Sequence, residues 1–251
     1  GGGLSFVFVF LMEFIIEGFG WRMAYVIMGL LTIVILFPII LLGYTFSPQE
    51  RGLRPIGSDE NASSAIDSSA TKPVMASTEI WTRASGLRSR PLWLLFVSNM
   101  LFWGTGCYLI LAHQVKFAID IGYSPAVAAS TTAVFGISMV IGQASSFISD
   151  YIGRETTILM AAVFASVATV ILMFLEPGSG VFPLYSFSVL FGLGAGLFAV
   201  CVFVGVADIF FGRNFGLFCG IVTGGMGFGG AFGPWLGGVL FDVTGSYQYS
   251  F

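Results

Sequence analysis

Stretches of about twenty apolar residues recur along this chain, and each is long enough to cross the hydrocarbon core of a bilayer as a helix. Seven candidates are legible: Leu4 to about Ile16, short and interrupted by Glu13, then Met23–Leu42, Leu92–Val115, Ala126–Ser149, Thr156–Leu175, Val181–Ala207 and Phe215–Phe241. Lipid satisfies no backbone polar group, so apolar runs of this length are read as helices. Composition supports a lipid solvent. The 251 residues are 56% hydrophobic and 9% charged, against about 45–50% and about 25% in soluble domains. Mean hydropathy is +0.93, more apolar surface than one soluble core can hide. The expected fold class is an all-α membrane protein with about seven transmembrane helices.

One segment breaks the pattern. Residues 44–91 are rich in Ser, Ala and Pro and hold 11 of the 23 charged residues. They read as a polar linker, which divides the chain into a helical pair (1–43), the linker (44–91) and a helical run (92–251). Later connections are short and carry Pro or Gly, as in Tyr123-Ser124-Pro125, Glu176-Pro177-Gly178 and Phe211-Gly212-Arg213. Arg51, Arg54, Lys72, Arg83, Arg88 and Arg90 lie in the linker, and Arg154 and Arg213 fall an even number of crossings away. Only Arg22 and Lys116 fall on the other face. The excess of positive charge predicts a cytoplasmic linker and a plasma (inner) membrane location.

Several function classes are disfavoured. A net charge of −3 gives no footprint for nucleic acid. Cys107, Cys201 and Cys219 lie inside apolar stretches without metal-like spacing, and read as small buried hydrophobes. No phosphate-binding loop, paired His ligands or enzyme signature is present, so neither catalysis, cofactor nor metal is expected. The chain opens on Gly1-Gly2-Gly3 without a signal-peptide pattern. Both ends read as cut from a longer protein.

Three groups of residues carry chemistry. His113, Lys116 and Asp120 are spaced by three and four, which places them on one helix face. Histidine is the side chain suited to exchanging protons near neutral pH, which makes His113 a candidate for proton coupling. Lys116 could attract a carboxylate, or Lys116 and Asp120 could be an interfacial pair. Asn99, Tyr108, Gln143 and Thr223 lie deeper and could meet substrate or bond a neighbouring helix. Glu13, four residues before Glu17, is a further proton-site candidate. In the last span Gly216, Gly220 and Gly224 form one series of fours, and Gly225, Gly229, Gly233 and Gly237 a second, with Pro234 nearby. Such spacing lets another backbone approach closely, for static packing or for sliding.

Two spans, a long polar linker and a run of tightly linked spans form a layout that resembles the major facilitator superfamily from its fifth to its eleventh helix. Gly20-Trp21-Arg22-Met23-Ala24-Tyr25, an apolar span and Pro48-Gln49-Glu50-Arg51-Gly52-Leu53-Arg54-Pro55 look like the end of helix 5, helix 6 and the start of the central loop. Ser149-Asp150-Tyr151-Ile152-Gly153-Arg154 resembles the Asp-Arg-x-Gly-Arg signature between helices 8 and 9. Ser146 replaces its usual Gly, Tyr151 its first Arg, and Glu155 its last basic residue. Ala207-Asp208 through Arg213, followed by the Gly-rich span and Phe241-Asp242-Val243-Thr244-Gly245, looks most like the branch of monocarboxylate transporters and oxalate:formate exchangers.

The resemblance implies two six-helix halves around a central site, working by alternating access. Helices 1–4 and 12 would lie outside this chain. It implies a cytoplasmic gate at Asp150, Gly153, Arg154, Asp208 and Arg213, although a solvated loop and simple helix capping are the alternatives. Its expected partners are lipid, a small organic solute, and protons or a counter-anion. Organic-anion members of the branch often hold a cation deep in helix 8 or 11, yet Ala126–Ser149 and Phe215–Phe241 contain neither Lys nor Arg. The leading expectation is secondary transport of small organic solutes such as monocarboxylates. A non-transporting membrane sensor or assembly partner and an exporter of hydrophobic compounds are the competing ones.

Overall fold

The computed structural model describes residues 2–43, 81–212, 214–247 and 250–251. Among them there is no strand, and six helices are long and apolar enough to cross a membrane. Seven spans were expected. The difference arises at the start, where Leu4–Ile16 is helical but runs on into the next span as α1 (Gly2–Gly43). No loop separates them. The direction changes at the single residue Gly20 (φ 78°, ψ 160°), a conformation that strains any residue with a Cβ. The spanning portion is Gly18–Leu41. Its side chains are apolar on all sides and mostly exposed, as suits contact with lipid or other helices. Glu13 and Glu17 are not among the side chains described.

The chain divides into two compact units, residues 7–75 and a second that contains 76–251. The second begins inside the expected linker. Residues 44–80 lie outside the described residues, but residues 81–91 are folded, so the linker is shorter at this end than its composition predicts. Thr82 caps α2 (Arg83–Leu87) through a reciprocal capping box with Ser85. Ser89 then starts α3 (Arg90–Asn99), with Pro91 in the first turn, where its missing N–H costs nothing.

From α3 the helix continues without interruption to Asp120, beyond the expected end at Val115. Met100–Cys107 is wound as a π-helix, and α4 (Tyr108–Asp120) follows. Next come α5 (Pro125–Ala144), a 3₁₀ turn at Ser145–Ile148 and the short α6 (Ser149–Ile152). The unit closes with α7 (Arg154–Met173), α8 (Val181–Ile209) and α9 (Phe215–Thr244).

Helix α8 is the most buried span and lies against both α5 and α7. Water cannot drive helices together inside a bilayer, so close backbone packing must do much of the work. On α8 a methyl group at Gly192 would lie 2.5 Å from the Phe135 carbonyl oxygen, and one at Gly196 would lie 2.2 Å from that of Met139. On the facing helix, Gly142 is equally blocked by Leu193 O at 2.5 Å, and Gly194 meets Ala161 O of α7 at 2.7 Å. Buried phenylalanines (Phe187, Phe191 and Phe198) fill the space between these crossings.

Candidate functional site

At the linker-side ends of the helices, Gly153 (φ 93°, ψ 152°) turns the chain from α6 into α7. This turn sets Arg154 one helical turn from Asp150, with which it pairs at 2.5 Å. The same guanidinium reaches Asp208 near the end of α8, Nε to carboxylate 3.2 Å, and donates to the Ser149 hydroxyl. Arg154 is the half-buried centre of this clasp, while both carboxylates remain largely exposed. The expected gate residues Asp150, Gly153, Arg154 and Asp208 are therefore brought together. Arg213 lies outside the described residues.

Helix α9 packs on α3, the π segment and α4, and its glycines divide into two classes. A methyl group at Gly225 would lie 2.6 Å from Phe96 O, at Gly229 2.3 Å from Met100 O, and at Gly233 2.7 Å from Thr105 O. At Gly237 it would meet His113 and Leu109 at 3.0 Å. The other series, Gly216, Gly220 and Gly224, has nothing within 4 Å. Of the two expected series, only the second therefore makes a close backbone approach among the described residues, because a helix turns only one side toward a given neighbour and the two series lie on different sides. Across the crossing, Gly104 of the π segment reciprocates, since its methyl group would lie 2.4 Å from Gly229 Cα.

Two side chains fasten this crossing, one on each side of the π segment. The buried Asn99 Nδ2 donates to Val222 O at 2.8 Å, while its Oδ1 finds no partner among the described residues. His113 Nε2 lies 3.1 Å from Pro234 O. A carbonyl can only accept, so Nε2 carries a proton. Asn99 thus belongs to helix packing rather than to an open cavity.

His113 parts company with the residues expected beside it. Lys116 and Asp120 pair with each other at 2.5 Å on the exposed face, with Lys116 62% exposed, as an interfacial pair would. His113 instead packs between Gly237, Leu109 and the ring of Tyr247, 5.7 Å away. Tyr247 stacks on Phe241 and Phe251 and meets the edge of Phe117. Burial, and then the Asp120 charge, push its phenol up, so it stays neutral. Ser250 Oγ donates to Gly237 O at 3.1 Å, which anchors this end segment on α9.

Between α4 and α9 lies a groove of about 530 Å³, lined by Tyr108, Leu111, Ala112, Met226, Gly230 and Pro234 among others. Gly230 makes room for the Tyr108 ring, which a methyl group there would meet at 2.8 Å. Tyr108, an expected substrate residue, borders this groove. Gln143 of α5 sits beside the Gly196 crossing, where a methyl group on Gly196 would lie 2.8 Å from its backbone nitrogen. Thr223 Oγ1 turns back to Cys219 O at 2.8 Å.

Three features were missed in the sequence. The π-helix leaves no mark in hydrophobic periodicity, though Gly104-Thr105-Gly106 within an apolar span was an available sign of weakness. Gln114 is buried, with Nε2 reaching Thr132 Oγ1 at 3.4 Å and Oε1 unpartnered. Its position between His113 and Lys116 could have drawn attention to it. The Gly142, Gly192 and Gly196 crossing was legible in the fourfold spacing of the α8 pair.

The family model of the Major Facilitator Superfamily matches this chain in two overlapping segments, residues 1–209 and 144–251, which together span all of it. The chain belongs to the major facilitator superfamily. Members are membrane transporters rather than enzymes, and this superfamily chain, with its six apolar helices, is an integral, multi-pass membrane protein of that kind. A comparison with curated proteins returns no match.

Proposed function

We propose that the protein is a secondary active transporter of small organic solutes, working by alternating access with the 44–91 linker on the cytoplasmic side. The observation that carries this reading is the groove at the α4–α9 crossing. It is bordered by Tyr108 and by Pro234 inside α9, and it adjoins a helix wound as π, a geometry that recurs at functional sites. A bare glycine contact can change angle without dragging side chains past one another. The Arg154 clasp supplies a separable closure at the linker-side ends.

The branch resemblance favours organic anions such as monocarboxylates, moved with protons or against a counter-anion. Of the three ionisable residues on this face of α4, His113 is the one left for such an anion, because Lys116 is engaged with Asp120. Protonation of His113 would place a second N–H donor at Nδ1 beside the crossing. The groove lining is otherwise apolar, which favours, as a second reading, transport of more hydrophobic solutes.

Uptake by the intact protein in proteoliposomes tests both. Accumulation of small carboxylates, with Tyr108→Phe raising KM and His113→Ala flattening the pH profile, is the expected result. Accumulation of neutral hydrophobic solutes alone selects the second reading. No transport across a broad panel, despite correct insertion, leaves the sensor or assembly partner.

A further inference from the structure

Residues 81–94 are not used by the transport reading, and they are built differently from the rest of the linker. They are pinned against the linker-side ends of the spans. The Trp81 ring packs on Phe210 at 5.2 Å, and its carbonyl accepts from Asn214 Nδ2 at 2.8 Å. Gly86 of α2 sits so close to Phe218 that a methyl group would meet the ring at 2.2 Å. These contacts hold α2 at the level where α8 ends at Ile209, α9 begins at Phe215 and the next span begins at Arg90. In a bilayer crossed by these helices, that level would fall in the headgroup layer.

Three arginines project from this fixed backbone. Arg83, Arg88 and Arg90 are all exposed. Among the described residues, none of them has a carboxylate within 4 Å, unlike Arg154 and Lys116, which are both paired. The sequence contains no Asp or Glu from residue 80 to residue 119. The same stretch also exposes apolar side chains, Leu87, Trp93 and Leu94. Trp93 is tied to α2 by its indole N–H, which donates to Leu87 O at 2.8 Å. Orientation in the membrane would be served by basic residues anywhere in the linker. A capped turn of helix and the start of the next span, carrying three unpaired guanidiniums and three exposed apolar side chains within twelve residues, is a more specific arrangement.

We propose that residues 81–94 form a docking surface for the headgroups of anionic phospholipids. The planar guanidinium fork matches phosphate oxygens and is more weakly hydrated than an ammonium. Basic residues beside a membrane are drawn to anionic lipid. Leu87, Trp93 and Leu94 would meet the acyl region below, with Trp93 at the interfacial depth that its ring favours.

The test uses the intact protein in phosphatidylcholine nanodiscs doped with photoactivatable phosphatidylglycerol, with cross-links mapped by mass spectrometry. Labelling is expected to concentrate on 81–94 over the neighbouring 149–154 loop on the same side. It should fall about fivefold for each arginine neutralised in R83Q, R88Q and R90Q, and persist in the corresponding triple Lys variant. Removing three charges at Arg51, Arg54 and Lys72 should leave it unchanged. Labelling no denser at 81–94 than elsewhere overturns the proposal, and linker carboxylates covering the arginines would produce that result. Equal loss in the two charge-removal variants also overturns it, because general attraction of the linker would then suffice. Should the triple Gln variant insert poorly, the wild-type map and the Lys variant decide.

Discussion

The α5–α8 crossing and the α9 crossing use the same device and differ in everything around it. Both bring backbones together through glycines spaced by four, with methyl groups at Gly196 and Gly229 blocked at 2.2 and 2.3 Å. At α5–α8 two regular α-helices meet over buried phenylalanines. At α9 the partner is a π-helix, α9 contains Pro234, and side chains of Asn99 and His113 reach across to carbonyls. One of those side chains, Asn99, keeps a buried oxygen with no partner among the described residues. The glycines provide close packing at both crossings, and on the proposed transport reading the surroundings would decide which of them moves.

The comparison is sharpest under overpacking. Gly196→Ala and Gly229→Ala each force a methyl group into a backbone oxygen, and costs of about 3 kcal/mol are expected at α5–α8. The loss at Gly229 should be smaller, because the π segment can rewind, while transport falls further than stability. Thermal unfolding in detergent, paired with proteoliposome uptake, measures both, and equal losses in both assays would erase the distinction. Next in size is Arg154→Gln. Its ion pairs are partly exposed, so stability should drop by less than about 1 kcal/mol, yet uptake should slow severalfold. Unchanged uptake would remove the clasp from the transport cycle.

Asn99→Leu removes one hydrogen bond together with one orphaned oxygen. Stability should therefore change by no more than about 1 kcal/mol in either direction, while uptake falls; a large loss of stability would make Asn99 an ordinary structural residue. The smallest effect is expected at Gly220→Ala. That position faces open space, and the substitution should raise stability by up to about 1 kcal/mol through helix propensity. A destabilisation there would show that something packs on the other glycine face.

Much of the fold was legible because membrane spans are written in runs of side chains. Five spans after the linker were located to within a few residues at most ends, and the Asp150–Arg154 turn was found from its motif. Errors fell where the backbone, rather than hydrophobicity, makes the decision. Gly20 joins two helices with no loop between them, Trp81 to Pro91 folds although its composition reads as linker, and the π segment is invisible to an apolar count. At the site, Lys116 with Asp120 was foreseeable from spacing along one helix. The turn of His113 toward Pro234 was not, because the partner lies 121 residues away.

The sequence by itself determined that this chain lives in lipid as helices, which way its charge is distributed, and which family it resembles. Those properties are sums over local runs of residues, and lipid leaves the backbone no alternative to helical hydrogen bonding. The tertiary structure alone decided which glycines touch a neighbour, which polar groups are consumed by packing, and which of the described basic residues lack an ion pair among the described residues. Such choices depend on how helices rotate against one another, and a rotation of one helix exchanges the buried face for the exposed one without changing a residue.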